Sequence, residues 1–423
     1  MLRVRLKALT AGDFARNVMT LAGGAAIAQF LPLAASPLLT RLYTPAEFGV
    51  LAIYVAWLSN LAVLMTGRYD MAIVLPDDEQ RAANLMGLSL WLSLALSLLV
   101  LLAVLAGHHE LSALAQAPAL SDLLLWLPLS LLLAGGMQAW NSWNNRHQRY
   151  RANAGGRMAL ALGMTATQLG AGFAGLGALG LVLGQLVGQG ASLVVQAWHD
   201  IRHRFGWRQD VSRPGMREVA RVYSEFPRIN APHAFIGALQ DTLAVTLLTL
   251  LSGSVTVGLY GLMMRVLKMP AALVGQAVAQ VAYRDMAAAK NRGESLLPYL
   301  NKTLAILSAL ALPPFFVIML WGDSLFAWVF GEDWRMAGNY ARALSPYILF
   351  HFVASPLGMV PLVINRQRTA FAFTVAGSAL FLSALWGGFV FWQDVSAAFA
   401  LVSVVMTLYF SCYFVWLWRA VRP

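Results

Sequence analysis

Apolar runs of about twenty residues recur from one end of the chain to the other, separated by short polar breaks. A bilayer core takes about 20 apolar residues per helix. Within it every backbone amide and carbonyl must be satisfied inside the protein. We read twelve spans, at 17–40, 46–67, 83–106, 122–144, 156–176, 178–199, 229–252, 256–282, 298–320, 337–362, 369–392 and 395–417. The breaks include Tyr43-Thr44-Pro45, Pro76-Asp77-Asp78, Ser252-Gly253-Ser254, Gly322-Asp323 and Asn365-Arg366. The period-two alternation of a membrane barrel is missing, so the expected fold is an all-α polytopic membrane protein. Only 12% of the 423 residues are charged, about half the roughly 25% of soluble domains. That excludes a water-soluble enzyme. The single cysteine, Cys412, allows no internal disulfide and no cysteine metal cluster. The basic start, Met1 to Thr10, is not followed by an A-x-A-like cleavage site, so the first span is expected to be retained.

A net charge of +11 suggests nucleic acid until the charges are placed. With the N-terminus taken as cytoplasmic, 25 of the 30 Lys and Arg fall on the cytoplasmic side and two, Arg41 and Arg335, on the other. The remaining three, Arg265, Lys268 and Arg342, lie within spans. The net is +14 inside, +2 in the membrane and −5 outside. This is a strong positive-inside bias. It places both termini in the cytoplasm and explains the basicity without a nucleic-acid partner.

The longest hydrophilic stretch, 200–228, divides the chain into six spans and six. The expected organisation is an N-terminal lobe (1–199), a cytoplasmic linker (200–228) with a short amphipathic piece around Met216 to Phe226, and a C-terminal lobe (229–423). A 6+6 chain is the pattern of a transporter built from two parallel repeats. Faint internal similarity accompanies it. Phe48-Gly49-Val50-Leu51 opens span two and Val257-Gly258-Leu259-Tyr260 opens span eight. Spans four and ten end in Asn145-Arg146-His147-Gln148-Arg149 and Asn365-Arg366-Gln367-Arg368. No G-x-x-x-x-G-K-[ST] and no H-E-x-x-H is present. Neither a nucleotide nor a metal cofactor is implied, and the chain is not expected to be an enzyme.

Ionisable groups at bilayer depth are costly and mark function by default. Arg265 lies about ten residues into span eight, ~15 Å deep at 1.5 Å per residue. Lys268 follows one turn on, and Gln276 and Gln280 continue that face. Asp241 on span seven and Arg265 on span eight stand about equally far from the Ser252-Gly253 turn, so a salt bridge between them is one reading. The other is an Asp241 that changes protonation during transport. Arg342, near the outer end of span ten, either joins a cationic cavity or snorkels to the interface. Gln185, Gln189 and Gln196 share an arc of span six with Ser192, beside Gly184 and Gly188, as cavity lining or as glue between helices. Gln138 and Asn141 mix with indoles at the inner end of span four. Arg68 and Asp70 close span two as a gate or as interface charges, and Arg41, ending span one, is a further gate candidate or an interface anchor.

Two stretches carry a family resemblance. One is Arg41-Leu42-Tyr43-Thr44-Pro45-Ala46-Glu47-Phe48-Gly49 through Gly67-Arg68-Tyr69-Asp70 to Leu75-Pro76 and Asn84-Leu85; the other is Phe330-Gly331-Glu332-Asp333-Trp334-Arg335, continuing to Ser345-Pro346 and Pro356-Leu357-Gly358. Nearly the whole chain resembles the Wzx-type O-antigen and exopolysaccharide flippases of the multidrug/oligosaccharidyl-lipid/polysaccharide exporter superfamily. The resemblance implies two six-helix lobes around a central cavity in the bacterial inner membrane. It implies carriage of an undecaprenyl-pyrophosphate-linked oligosaccharide from the cytoplasmic to the periplasmic leaflet, with a polysaccharide polymerase and chain-length machinery as further partners beside membrane lipids. Arg265, Lys268 and Arg342 stand where its anionic head would be held, and Asp241 where an ion gradient could couple. The rival readings are a multidrug or cation antiporter of the same superfamily, a membrane glycan ligase or polymerase, and a non-transporting scaffold.

Overall fold

The computed structural model describes residues 28–114 and 120–422, apart from the side chains of 109, 111, 114, 270–274, 276, 277 and 280. All regular structure among these residues is helical. Residues 28–34 form one helical stretch. The main helices are α1 Ser36–Leu42, α2 Pro45–Ala62, α3 Glu79–Leu114, α4 Leu127–Arg146, α5 Tyr150–Phe173 and α6 Gly177–Arg202. They continue as α7 Arg213–Val222, α8 Ala231–Asn291, α9 Leu297–Phe330, α10 Arg335–Leu357, α11 Gln367–Trp392 and α12 Val395–Val421. Nine helical stretches among the described residues are long and apolar enough to cross a membrane. One of them, Phe226–Met269, takes in span seven and the first half of span eight together, and α5 covers most of span five. The first span falls partly outside the described residues.

The breaks act through identifiable chemistry. Thr44 and Glu47 cap α2 reciprocally. The Glu47 carboxylate accepts from the Thr44 amide at 2.7 Å, and the Glu47 amide donates to Thr44 Oγ1 at 3.4 Å. Pro45 sits at the first helical position, where no amide is needed. Asp78 caps α3 and Asp394 caps α12 in one direction, each carboxylate accepting from two first-turn amides. α8 folds back at Gly253, whose φ of 76° suits glycine. A straight helix would hold residues 241 and 268 about 40 Å apart, yet their side chains meet at 3.4 Å. α9 departs from helical geometry at Trp321, beside the expected Gly322-Asp323 break, and runs helically through Pro313 and Pro314.

The chain forms two compact units. The first takes in the described residues up to Leu42 and Tyr54–Leu239; the second takes in Tyr43–Ile53 and the described residues from Gln240 on. In the first unit α5 packs along α6, and α4 packs on α3 and α6. Its core joins Ile73, Met86, Trp140, Trp143, Trp207 and Val219. Residues 206–222 are therefore part of this core, and α7 packs on α3. After α2 the chain takes two left-handed residues, Gly67 and Arg68 (φ 57° and 62°), and a 3-10 turn, Tyr69–Val74. Arg146 holds the end of this turn. Its guanidinium donates to the carbonyls of Ile73 (3.2 Å), Pro76 (2.5 Å) and Asp77 (3.3 Å) and pairs with Glu79 at 3.1 Å.

In the second unit the two repeat-like segments meet each other. A Cβ placed on Gly49 would lie 1.8 Å from the Ser254 carbonyl oxygen, and one on Gly258 would lie 1.8 Å from the Pro45 carbonyl oxygen. Each glycine faces the carbonyl four residues ahead of the other. α9 and α10 meet in the same way, with a Gly338 Cβ 2.3 Å from the Gly322 oxygen. Aromatic contacts fill the unit: Tyr260 and Tyr340 on Phe399, and Tyr347 against Phe381 and Phe410.

Candidate functional site

The hairpin of α8 brings Asp241 and Lys268 together at 3.4 Å. Asp241 therefore pairs with Lys268, not with Arg265 as one reading of the sequence had it. The reason is the tilt of side chains toward their own helix N-terminus. On antiparallel arms these tilts oppose, so Asp241 meets a residue beyond the one at matching distance from the turn. The pair faces open space, with the Asp241 side chain 73% exposed and that of Lys268 37%. Arg265, one turn before Lys268, is half-buried and makes no ion pair with a described residue. Among Asp241, Arg265 and Lys268 the formal charge is thus one cation in excess.

Other elements of the same unit complete the surroundings. α10 brings His351 within electrostatic reach of both Lys268 and Asp241, and Tyr347 within reach of Asp241. Their rings lie 5.8 Å apart, and both contact Phe410. Beside Asp241, Gln240 accepts a hydrogen bond from the Ser378 hydroxyl of α11 at 2.6 Å. The sequence reading missed His351, Tyr347, Gln240 and Ser378. His351 carried a signal, a histidine midway along an apolar span. The side chains of Gln276 and Gln280 lie outside the described residues.

Arg342 stands apart from the Lys268 pair. It donates to Asp323 at 3.3 Å and to the Met319 carbonyl at 3.2 Å, and Asp323 also takes Arg335 at 3.5 Å. It lines a shallow 520 Å³ depression with Met319, Met336, Asn339 and Ser396. Its charge is matched locally by Asp323, so it adds no free cation to the α8 site.

The candidates of the first unit are structural in their contacts. Gln138 donates to the Ala62 carbonyl at 2.9 Å, capping the end of α2, and lies 3.5 Å from Thr66 Oγ1. That hydroxyl donates to the buried Asp70 at 2.5 Å. Arg68 is half-buried and makes no ion pair with Asp70. Gln189 and Gln196 are buried in helix contacts rather than facing open space: α5 and α6 touch so closely that a Gly188 Cβ would lie 2.7 Å from the Leu160 oxygen. Gln196 bonds Ser192 at 3.0 Å, and Asn144 donates to its carbonyl. Gln185 and Asn141 are half-buried, and Arg41 is exposed in the last turn of α1. The sequence reading also missed Asp200, 5% exposed, which accepts from Trp140 Nε1 at 3.0 Å and Arg149 at 3.3 Å. Among the described residues no group of three or more His, Cys, Asp or Glu could hold a metal ion.

This arrangement can hold an anion on α8, and its fold has known counterparts. The structure resembles an inward-facing multidrug resistance MATE family transporter of the MOP superfamily, with a TM-score of 0.67 and 15% identity over 96% of this chain and 97% of that one. It resembles the lipid II flippase MurJ in an inward closed conformation with a TM-score of 0.60 and 11% identity over 96% and 88%. In sequence the chain is 23% identical over 326 residues to the lipopolysaccharide biosynthesis protein WzxC of Escherichia coli K12, a match covering 75% of this chain and 64% of that relative. The family model for polysaccharide biosynthesis proteins matches residues 38–338. The chain belongs to the polysaccharide biosynthesis protein family.

Proposed function

We propose that this protein is a flippase. Its cargo is an oligosaccharide repeat unit linked to undecaprenyl pyrophosphate, moved from the cytoplasmic to the periplasmic leaflet of the bacterial inner membrane by alternating access. The observation that carries the reading is the excess cation on α8: among the described residues Arg265 makes no ion pair and Lys268 is held only by an open Asp241. A pyrophosphate cannot enter hydrocarbon uncompensated. Arg265 offers it a bidentate fork and Lys268 a point charge. Asp241 competes with the cargo for Lys268, so neutralising this carboxylate with a proton or a cation frees Lys268 for phosphate and couples the cycle to an ion gradient. His351, half-buried, lies beside the pair, backed by the buried Tyr347. The relationship to WzxC and the fold shared with MurJ support a lipid-linked glycan as cargo.

In this reading the six-span halves 1–199 and 229–423 are the moving parts, with 206–222 carried on the first as part of its core. Both termini are cytoplasmic, and the product passes to a polysaccharide polymerase with its chain-length machinery. The drug antiporter reading draws on the MATE-like fold, but a cation carrier needs carboxylate in excess, and α8 has the opposite balance. The test is reconstitution with a lipid-linked oligosaccharide and a leaflet-accessibility assay. Transfer that falls at least tenfold in folded Arg265→Ala is expected. Absence of transfer together with cation efflux by the wild-type protein would refute the proposal.

A further inference from the structure

α7 is a short helix with two opposed faces. Val219 is buried in the core of the first unit, whereas Arg213, Arg217 and Arg221, each four residues apart, are exposed along the other side. The spacing puts the three guanidinium groups in one row. Arg204 and Arg208, just before α7, are also exposed, and Arg208 lies over the rings of Phe205 (4.6 Å) and Trp207 (5.9 Å).

The helix is docked, and its depth can be read from what it touches. Asn84 is 2% exposed; it donates to the Asp210 carbonyl at 3.0 Å and accepts from the Ser212 amide at 3.0 Å. A Cβ on Gly215 would lie 2.6 Å from the Asn84 side chain, and one on Gly87 would lie 2.9 Å from Val211. Tyr69 donates to the Ala220 carbonyl at 3.1 Å, and Arg81 pairs with Glu218 at 2.9 Å. Residues 81–87 are the first turns of a membrane-crossing helix, within about 12 Å of its start at 1.5 Å per residue. The neighbouring α6 ends in the same region with Arg202 over the exposed ring of Trp198 at 4.9 Å, the amphipathic pairing that favours a membrane–water boundary. α7 is therefore fixed at headgroup level, with its arginine row turned away from the protein.

We propose that the Arg213, Arg217 and Arg221 face of α7 is a docking surface for the phosphates of anionic phospholipids. Basic groups near a membrane surface attract acidic lipids, and arginine forks match phosphate oxygens in geometry. The occupant follows from charge complementarity and from depth: at this level the abundant anion is a lipid headgroup. Val222, exposed next to Arg221, gives the adjoining acyl region an apolar contact. This surface shares no residue with the α8 site and does not depend on the cargo proposed for it.

The test uses the full-length protein in nanodiscs of phosphatidylcholine containing a minor share of phosphatidylglycerol, with bound lipid counted by mass spectrometry after release. Wild type should retain phosphatidylglycerol over phosphatidylcholine several-fold above the bulk ratio. The triple variant Arg213→Gln/Arg217→Gln/Arg221→Gln should lose most of that enrichment at an unchanged melting temperature in pure phosphatidylcholine. The triple lysine variant should keep part of it. A control of equal charge loss elsewhere, Lys302→Gln/Arg366→Gln/Arg368→Gln, should keep nearly all of it. Enrichment in the glutamine triple equal to wild type, or equal loss in the control, would overturn the proposal. Displacement of the lipid by inorganic phosphate, beyond what chloride of equal ionic strength causes, would assign the row to a soluble anion and overturn it too.

Discussion

The reciprocal glycine contact between residues 45–49 and 254–258 yields a quantitative expectation. Gly49→Ala puts a methyl group 1.8 Å from the Ser254 oxygen, against an ordinary contact of at least 3.4 Å. The obstacle is backbone, so no rotamer change relieves it, and the segments must part by about 1.5 Å. A radial gap of 0.5–1 Å already forfeits a quarter to a half of each dispersion well. Phe48, Val50, Val257 and Leu259, all buried beside the contact, are the side chains placed to lose it. Overpacking costs about 1–3 kcal/mol, and a backbone obstacle belongs at the upper end, so ~3 kcal/mol is expected for Gly49→Ala and again for Gly258→Ala. Once the segments have parted, the second methyl meets little further resistance. The double variant should therefore cost little more than either single one, a coupling of ~2–3 kcal/mol within the range for contacting residues. The assay is a denaturant titration in detergent of wild type, both singles and the double, followed by tryptophan fluorescence. Gly387→Ala is the internal control: its Cβ meets nothing within 4 Å, so helix propensity alone should leave it neutral or stabilised by ~0.5–1 kcal/mol. A Gly49→Ala protein as stable as wild type, or single effects that add, would refute the reasoning.

Replacing Arg146 with Ala removes donors to three backbone carbonyls and Glu79 from a side chain only 12% exposed; at ~1–3 kcal/mol for a buried acceptor left unpaired, residues 73–79 should become sensitive to protease at several-fold lower dose. Thr44→Ala should cost ~1 kcal/mol through loss of the α2 cap, seen as a lowered denaturation midpoint that Glu47→Gln reproduces only in part. Asp241→Asn frees Lys268 from its carboxylate, so in the flipping assay the dependence on the ion gradient should fall while the protein stays folded; an unchanged dependence would remove Asp241 from the coupling role. Glu294 is held below the usual carboxylate range first by its hydrogen bond from Arg292 and then by that from Tyr299, so Arg292→Gln should move its titration upward when followed by carboxylate-selective labelling against pH.

The helical class and most break points were legible because bilayer physics writes them as composition: apolar length, and proline, glycine or capping residues where a span ends. Thr44-Pro45-Ala46-Glu47 and Gly253 behave as their chemistry dictates without long-range information. Pairings between helices were not legible. Asp241 and Arg265 stand at matching distances from a turn, and only the opposed tilt of side chains on the two arms selects Lys268. Arg342 looked like a free cation because Asp323, nineteen positions earlier, sits on another helix. The polar arc of α6 could not be told from cavity lining, since its neighbours Leu160 and Met164 come from α5. Residues 206–222 read as linker because their contribution to the core rests on Trp207 and Val219, too few apolar positions to form a run.

The contact in which Gly49 and Gly258 each face the carbonyl four residues ahead of the other has the form of an isologous interface, where one patch meets its own copy. Two identical chains make such a contact by default; within one chain it has to be inherited or converged upon. Because each partner presents bare backbone, neither position can accept a larger residue unless the other segment yields. The two sites are therefore tied to each other structurally. A substitution at one glycine is thus accommodated only by movement of the segment that carries the other.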